Sequence, residues 1–331
     1  MAETNDILEV AKMTISASIK RNTFRGFIGW HSCDNICMDM HDVLDMCKDA
    51  FTQERYQESL EADTYVLVSG VKLASCADSS SGMLTDVIRR AFELIDLSTQ
   101  TIAKLDAAKR EHALSLIIKK AKNKAFDGWD SWRYELLEKA VCLCDEKWAT
   151  KLEKLLDTFL EDIENDNVSE YQRQEDTILR YKLHRHIKGA DAVKDELYAN
   201  LYIKELCIIA VKDATDARNY NEAEKLCLEQ IKKENGHFYT NTPENWNNIL
   251  FDVYMQSGII DKQIEEQEKR LTDEEYKLQE QMKSNKKKVE RYQLLQNQIQ
   301  KIQEQITTKR EEREKISGQI AALKAEIDIR V

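Results

Sequence analysis

The chain has 331 residues, among them one proline (Pro243) and nine glycines, and its formal net charge is −11. Turns between strands are built from Gly, Pro, Asn and Asp, so so poor a supply of turn formers excludes a strand-rich fold and indicates an all-α chain of helices joined by short loops. The acidic balance disfavours sequence-independent nucleic-acid binding over most of the surface. No run approaches the roughly eighteen apolar residues of a membrane-spanning helix.

In chain order, a first helix is expected near 5–20, where Leu8, Ala11, Ile15 and Ile19 share one face. A loop around Gly26 leads to a helix over 32–52, with Cys33, Cys37, Met40, Leu44, Cys47 and Phe51 spaced in threes and fours. Residues 54–74 are mostly apolar at Tyr65–Val68 and read as deeply buried. After the loop Ser75–Gly82, amphipathic helices follow near 83–95, 107–121, 131–144 and 146–163. The polar run Asp162–Ser169 marks a soft boundary, which divides 1–165, an N-terminal helical domain, from 166–258, a helical-repeat domain. Helices there are expected near 171–187, 191–211, 221–233 and 244–256, the last with Thr242 as cap and Pro243 at its first position.

Eight cysteines (33, 37, 47, 76, 142, 144, 207 and 227) lie mostly in apolar helical runs. With the polar start Met1–Asp6 offering no signal peptide, the expectation is a cytoplasmic protein with reduced core thiols.

One element recurs. Arg55-Tyr56-x-x-Ser59-Leu60 and Asn219-Tyr220-x-x-Ala223-Glu224 each put an aromatic at a turn and a small residue one helical turn on. Gly258-Ile259-Ile260-x-x-Gln263-Ile264 is a looser third copy. A small residue at that place lets two helices approach closely, as in tetratricopeptide-like hairpins, so the body reads as an α-solenoid of helical hairpins.

Residues 259–331 read as a coiled coil. Ile264, Leu271, Leu278, Asn285, Tyr292, Ile299, Ile306, Arg313, Ile320 and Ile327 are each seven apart, and from 295 onward Leu295, Ile302, Lys309, Ile316, Leu323 and Arg330 fill the second seam position. A repeat of 3.5 residues is buried by supercoiling against another helix. The partner-binding seam is therefore assigned to Ile264, Leu271, Leu278, Tyr292, Leu295, Ile299, Ile302, Ile306, Ile316, Ile320, Leu323 and Ile327. Unbroken, the rod spans roughly 100 Å. Before 290 the second seam position is polar (Gln267, Glu274, Gln281, Lys288), and Lys283–Lys288 is an alternative place for the bend of a helical hairpin. The tail carries sixteen Lys and Arg against fifteen Asp and Glu, so it is near neutral, and the acidity lies in the body.

Two groups have the composition of metal ligands. Cys33, Cys37 and His41, with His31 before them, step by four along one helix, which spreads them over about 12 Å. That is too far for one tetrahedral zinc with ligands at about 2.1–2.3 Å. Cys142-x-Cys144 and His184-x-His186 are each placed mid-helix, where i and i+2 point apart. Trp129, Trp132 and Trp148 read as core anchors. There is no phosphate-binding glycine loop, Ser/His/Asp arrangement or HExxH, so no catalytic, cofactor or metal residue is assigned.

Three stretches resemble the helical region that follows the zinc finger in bacterial SWIM-type zinc-finger proteins. They are Cys76-Ala77-Asp78-Ser79-Ser80-Ser81-Gly82, Asp127-Gly128-Trp129-Asp130-Ser131-Trp132-Arg133-Tyr134-Glu135-Leu136-Leu137, and Glu244-Asn245-Trp246 through Tyr254 followed by Gly258. Order and rough spacing match over about 30–264. The resemblance implies a helical-repeat scaffold working near DNA-processing machinery. The family's finger, CxC followed by CxH, has no counterpart, since no CxH occurs, and the coiled-coil tail is a second departure. The expected protein is a non-enzymatic scaffold or adaptor that binds a protein partner, or itself, through its tail. The alternative is an accessory subunit of a DNA-processing or phage-defence complex, beside a helicase or nuclease.

Overall fold

The computed structural model describes residues 6–164, 170–233, 245–258, 268–272, 274–277 and 289–328, with side chains except at 161–164, 289–295 and 320–328. The described residues are helical throughout their regular structure, with only two isolated bridges, Phe24 to Phe27 and Ile28 to Ala77. They divide into two compact units, Met1–Leu206 and Cys207–Val331.

The first unit opens with α1 (Ile7–Asn22), α2 (Trp30–Thr52), α3 (Tyr56–Ala74), α4 (Met83–Ile102) and α5 (Ala107–Ala121). Asp6 starts α1 by accepting a 3.0 Å hydrogen bond from the Leu8 amide, which satisfies one of the helix's orphan donors. The three-four spacing of α2 buries Cys33, Ile36, Cys37, Met40, Val43, Leu44 and Cys47 along one face. Helix α3 is the axle of the unit: α1, α2, α4 and α5 all pack on it. Its apolar run Val66-Leu67-Val68 is buried all round, because a helix surrounded by helices has no solvent face to fill with polar residues. Full burial of each such side chain contributes roughly 1.5–3 kcal/mol. Gly70 permits the closest approach of α3 to α4, since a Cβ there would stand 3.1 Å from Ile88 Cγ1.

The unit continues through α6 (Asp130–Lys139), α7 (Glu146–Glu164), α8 (Glu170–Lys188) and α9 (Lys194–Ala199), with short 3-10 turns at Lys124–Phe126, Val141–Leu143 and Asp191–Val193. Helix α8 packs on α6 and α7, so this unit runs on past the soft boundary at 165. Two expectations need correction here. The single helix expected over 191–211 is broken at Asn200, whose φ of −115° and ψ of 21° end α9, and α10 (Lys204–Asp216) begins afresh. The segment around Cys142 and Cys144 is a 3-10 turn after α6, not the middle of a helix.

In the second unit, α11 (Tyr220–Lys233) and α12 (Trp246–Ser257) pack as an antiparallel pair. The Tyr220 hydroxyl donates to the Gln256 carbonyl at 3.1 Å, and the Tyr254 hydroxyl to Glu224 Oε1 at 2.7 Å. Helix α12 is capped by the Asn245 side chain, which accepts from the Asn247 amide; Thr242 and Pro243 lie outside the described residues. Residues 268–272 and 274–277 are helical, and α13 (Val289–Asp328) is the longest described helix.

The recurring sequence element has a recurring geometry. Glu54 (φ 64°) and Arg218 (φ 58°) are both left-handed. In each turn the next amide reaches back five residues, Arg55 N–H to the Ala50 carbonyl at 3.0 Å and Asn219 N–H to the Ala214 carbonyl at 2.7 Å. The left-handed residue itself bonds three back, to Phe51 and to Thr215. This is the Schellman closure of a helix end. Ser59 and Ala223, the small residues one turn on, are fully buried. Gly258 (φ 72°) ends α12 in the same left-handed conformation, and the rest of that third copy lies outside the described residues.

Candidate functional site

The seam assigned from the heptads is the candidate interaction surface. On α13, Ile299 is 4% exposed, Ile302 and Ile306 are half-buried, and Ile316 is 52% exposed within a stretch, 311–319, that is exposed throughout. Leu271, on the helical residues 268–272, is half-buried. Tyr292, Leu295, Ile320, Leu323 and Ile327 lie on α13 where only the backbone is described; Ile264 and Leu278 lie outside the described residues.

Two contacts within this unit place other segments beside α13. Glu268 and Arg310 form an ion pair, and the Lys309 ammonium sits 4.3 Å from the centre of the Phe251 ring. In one straight helix Glu268 and Arg310 would be about 63 Å apart. The described helical residues 268–272 and 274–277 therefore lie beside α13, a placement that one straight helix would not allow. The stretch Lys283–Lys288, named as an alternative bend, lies outside the described residues.

The cysteine and histidine groups are placed as follows. Cys33 and Cys37 are fully buried, and burial pushes both thiols up from their ordinary value. His41 faces Arg90, whose Nη1 is 3.3 Å from His41 Nδ1; burial and that guanidinium hold the imidazole below its usual pKa. His186 Nε2 does come within 3.2 Å of Cys144, but of its carbonyl oxygen. The Cys144 thiol points back to the Ala140 carbonyl and is pushed up to about 12 by burial. His184 stands between two carboxylates on opposite sides, Glu153 at 2.7 Å from Nε2 and Glu196 at 2.9 Å from Nδ1. Two ring nitrogens pointing opposite ways cannot share one ion. Among the described residues no group of three or more His, Cys, Asp and Glu is arranged to hold a metal.

The tryptophan block is a clamp at the start of α6. Trp129 and Trp132 stack with centres 4.5 Å apart, and Trp129 Nε1 donates to Ser75 Oγ at 3.0 Å. Arg133 donates to Asp127 at 2.6 Å and to Asp130 at 2.8 Å, and its guanidinium lies over the Phe159 ring. Both residues are half-buried and pack against the core. The tryptophan block is thus tied to the end of α3 at Ser75, one residue before the stretch Cys76–Gly82.

Two further features had no signal strong enough to single them out in the sequence. Asp63 is fully buried on α3; its Oδ2 accepts from Ser59 Oγ at 3.1 Å, and its Oδ1 has no hydrogen-bond partner. Burial raises its pKa to about 7, against the lowering effect of hydrogen bonds from Cys47 and Ser59. Phe24 and Phe27, in the loop between α1 and α2, are 73% and 60% exposed. The sequence marks them only as a loop around Gly26, although aromatics interleaved with Arg21 and Arg25 were the available clue. Compared with known proteins, the chain matches no family model, no curated protein and no solved structure.

Proposed function

We propose that the protein is a non-enzymatic, cytoplasmic scaffold that assembles through the distal half of α13, and that the first partner of that half is a second copy of the chain. The observation that carries this is the change along one helix, from Ile299 at 4% exposure to Ile316 at 52%. The proximal seam already has a covering; the distal seam is the part left for another chain. The heptads there are self-complementary. Antiparallel pairing about Ala321 and Ala322 sets Ile316 opposite Ile327, Ile320 opposite Leu323 and Lys315 opposite Asp328, and the small residues Gly318, Ala321, Ala322 and Ala325 let the two backbones approach. The Schellman turns at Glu54 and Arg218, each followed by a buried small residue, support a body of stacked helical hairpins.

Light scattering on the full chain and on a chain ending at Ser257 tests the reading. The full chain is expected to exceed its monomer mass and the shortened chain to be monomeric. Identical monomers at all concentrations contradict it. The second reading, an accessory subunit of a DNA-processing or phage-defence complex, rests on the resemblance to the SWIM-associated helical region and is favoured by one structural feature, the exposed aromatics between α1 and α2.

A further inference from the structure

The loop between α1 and α2 displays aromatic rings that the fold takes pains to hold outward. Phe24 and Phe27 exchange backbone hydrogen bonds at 3.0 Å in both directions, around Arg25 and Gly26 at φ 50° and 80°. Two left-handed residues between a mutually bonded pair make a type I′ turn, the tight hairpin form. The turn is anchored from below. Ile28 is buried, and its carbonyl accepts from the Asp78 amide at 2.9 Å. So Phe24 and Phe27 sit on a fixed platform, and Trp30, 47% exposed at the start of α2, follows three residues on.

The charge around the rings differs from that of the chain as a whole. From Val10 to Cys33 there is no Asp or Glu, while Lys20 and Arg21 precede Phe24 and Arg25 lies between Phe24 and Phe27. All three cations are exposed, and Arg25 lies over the Phe24 ring at 5.3 Å. Carboxylates nearest in the fold are engaged locally: Asp39 with Arg21 at 2.7 Å, Asp34 with the Ser81 hydroxyl, and Asp78 with the Ser80 amide at 3.1 Å.

We propose that this turn is a binding site for single-stranded nucleic acid, with Phe24, Phe27 and Trp30 stacking on bases and Lys20 and Arg25 contacting phosphates. Exposed rings at three-residue intervals, with Arg25 between two of them and Lys20 just before, have the composition of a stacking platform, which every base can use because every base has a π face. A bilayer surface is the other ligand that takes aromatics and cations. Arg25 argues against it, because it occupies the tip of the turn, where insertion would carry a guanidinium in first. A phosphate backbone wants a cation there. The acidity of the rest of the chain confines such binding to this patch.

The test is fluorescence anisotropy of a labelled oligothymidylate titrated with the full-length protein, beside sedimentation with anionic phosphatidylserine vesicles. The proposal expects binding to the oligonucleotide at low salt. Two phosphate contacts give an affinity falling about sevenfold between about 50 and 200 mM salt, from a slope of roughly −0.7 per contact. Phe24→Ala with Phe27→Ala is expected to weaken binding at least about tenfold, and Arg25→Glu to weaken it and flatten the salt dependence. The exposed rings make no core contact, so the melting curve of each variant should stay that of the parent. Absence of binding at low salt overturns the proposal, as does undiminished binding by both variants. Binding to vesicles but not to the oligonucleotide overturns it in favour of a membrane surface.

Discussion

Glu268 and Arg310 stand 42 residues apart in the chain and form an ion pair. Both side chains are about half exposed, so the pair itself contributes at most about 1 kcal/mol. Its meaning is topological: it places residues 268–272 beside α13 within one chain. Cysteines placed at these two positions, in a chain whose exposed Cys76 is changed to Ser, should be joined by a short bismaleimide within a single chain at high dilution. The check is a mobility shift on a denaturing gel without dimer formation. Links only between chains, or none, contradict the side-by-side placement.

Asp63 makes stability depend on pH in the unusual direction. Its folded pKa, about 7, lies above the roughly 3.9 of an unfolded Asp, so the native state binds the extra proton between these values. Stability from this group is fully present below about pH 4 and is lost as pH rises through about 7. The size is on the order of a few kcal/mol. Asp63→Asn should therefore stabilise the protein at pH 8, have little effect near pH 4, and remove this slope. Urea titrations at the two pH values measure it, and equal effects at both contradict the account.

The interhelix turns predict gains and losses of opposite sign. Left-handed backbone is costly for side-chain-bearing residues, so Glu54→Gly and Arg218→Gly should each be neutral to about 1 kcal/mol stabilising, the relief of strain outweighing the added freedom of the unfolded chain. Ala223→Leu forces bulk into a fully buried position and should cost about 1–3 kcal/mol. Chemical denaturation resolves these. A stabilising Ala223→Leu means that close helix approach is not what the small residue provides.

His184 bridges α7, α8 and α9 through Glu153 and Glu196. Removing the ring leaves two partly buried carboxylates facing a gap, so His184→Ala should destabilise by about 1.5–3 kcal/mol. Adding Glu196→Gln to that variant should recover part of the loss, because one unpaired charge is removed. A thermal melt of the three proteins decides, and no recovery contradicts the carboxylate argument.

Much of the fold was legible because helical periodicity is carried by many residues at once. Helix α5 spans 107–121 as expected, and the spacing of Cys33, Cys37, Met40, Leu44 and Cys47 marked the buried face of α2. The break at Asn200 was not legible, since no Gly or Pro announces it, and apolar spacing runs on through it. The placement of residues 268–272 beside α13 was not legible for a physical reason. A heptad repeat states that a helix is covered, and it reads the same whether the cover is another chain or its own; Leu271 and Ile306 fit either. Nor did Arg25-Gly26 announce its turn, lacking the Asn-Gly or Asp-Gly of the commonest two-residue hairpins.

On the proposed reading, the distal seam of α13, exposed at Ile316, brings two chains together. Light scattering of the parent and of Ile316→Asp with Leu323→Asp, across a concentration series, tests it most directly. The account predicts a parent approaching twice the 38.6 kDa chain mass and a variant that stays at the chain mass with unchanged helix content. A parent that remains at 38.6 kDa at every concentration, or a variant that associates as the parent does, contradicts it.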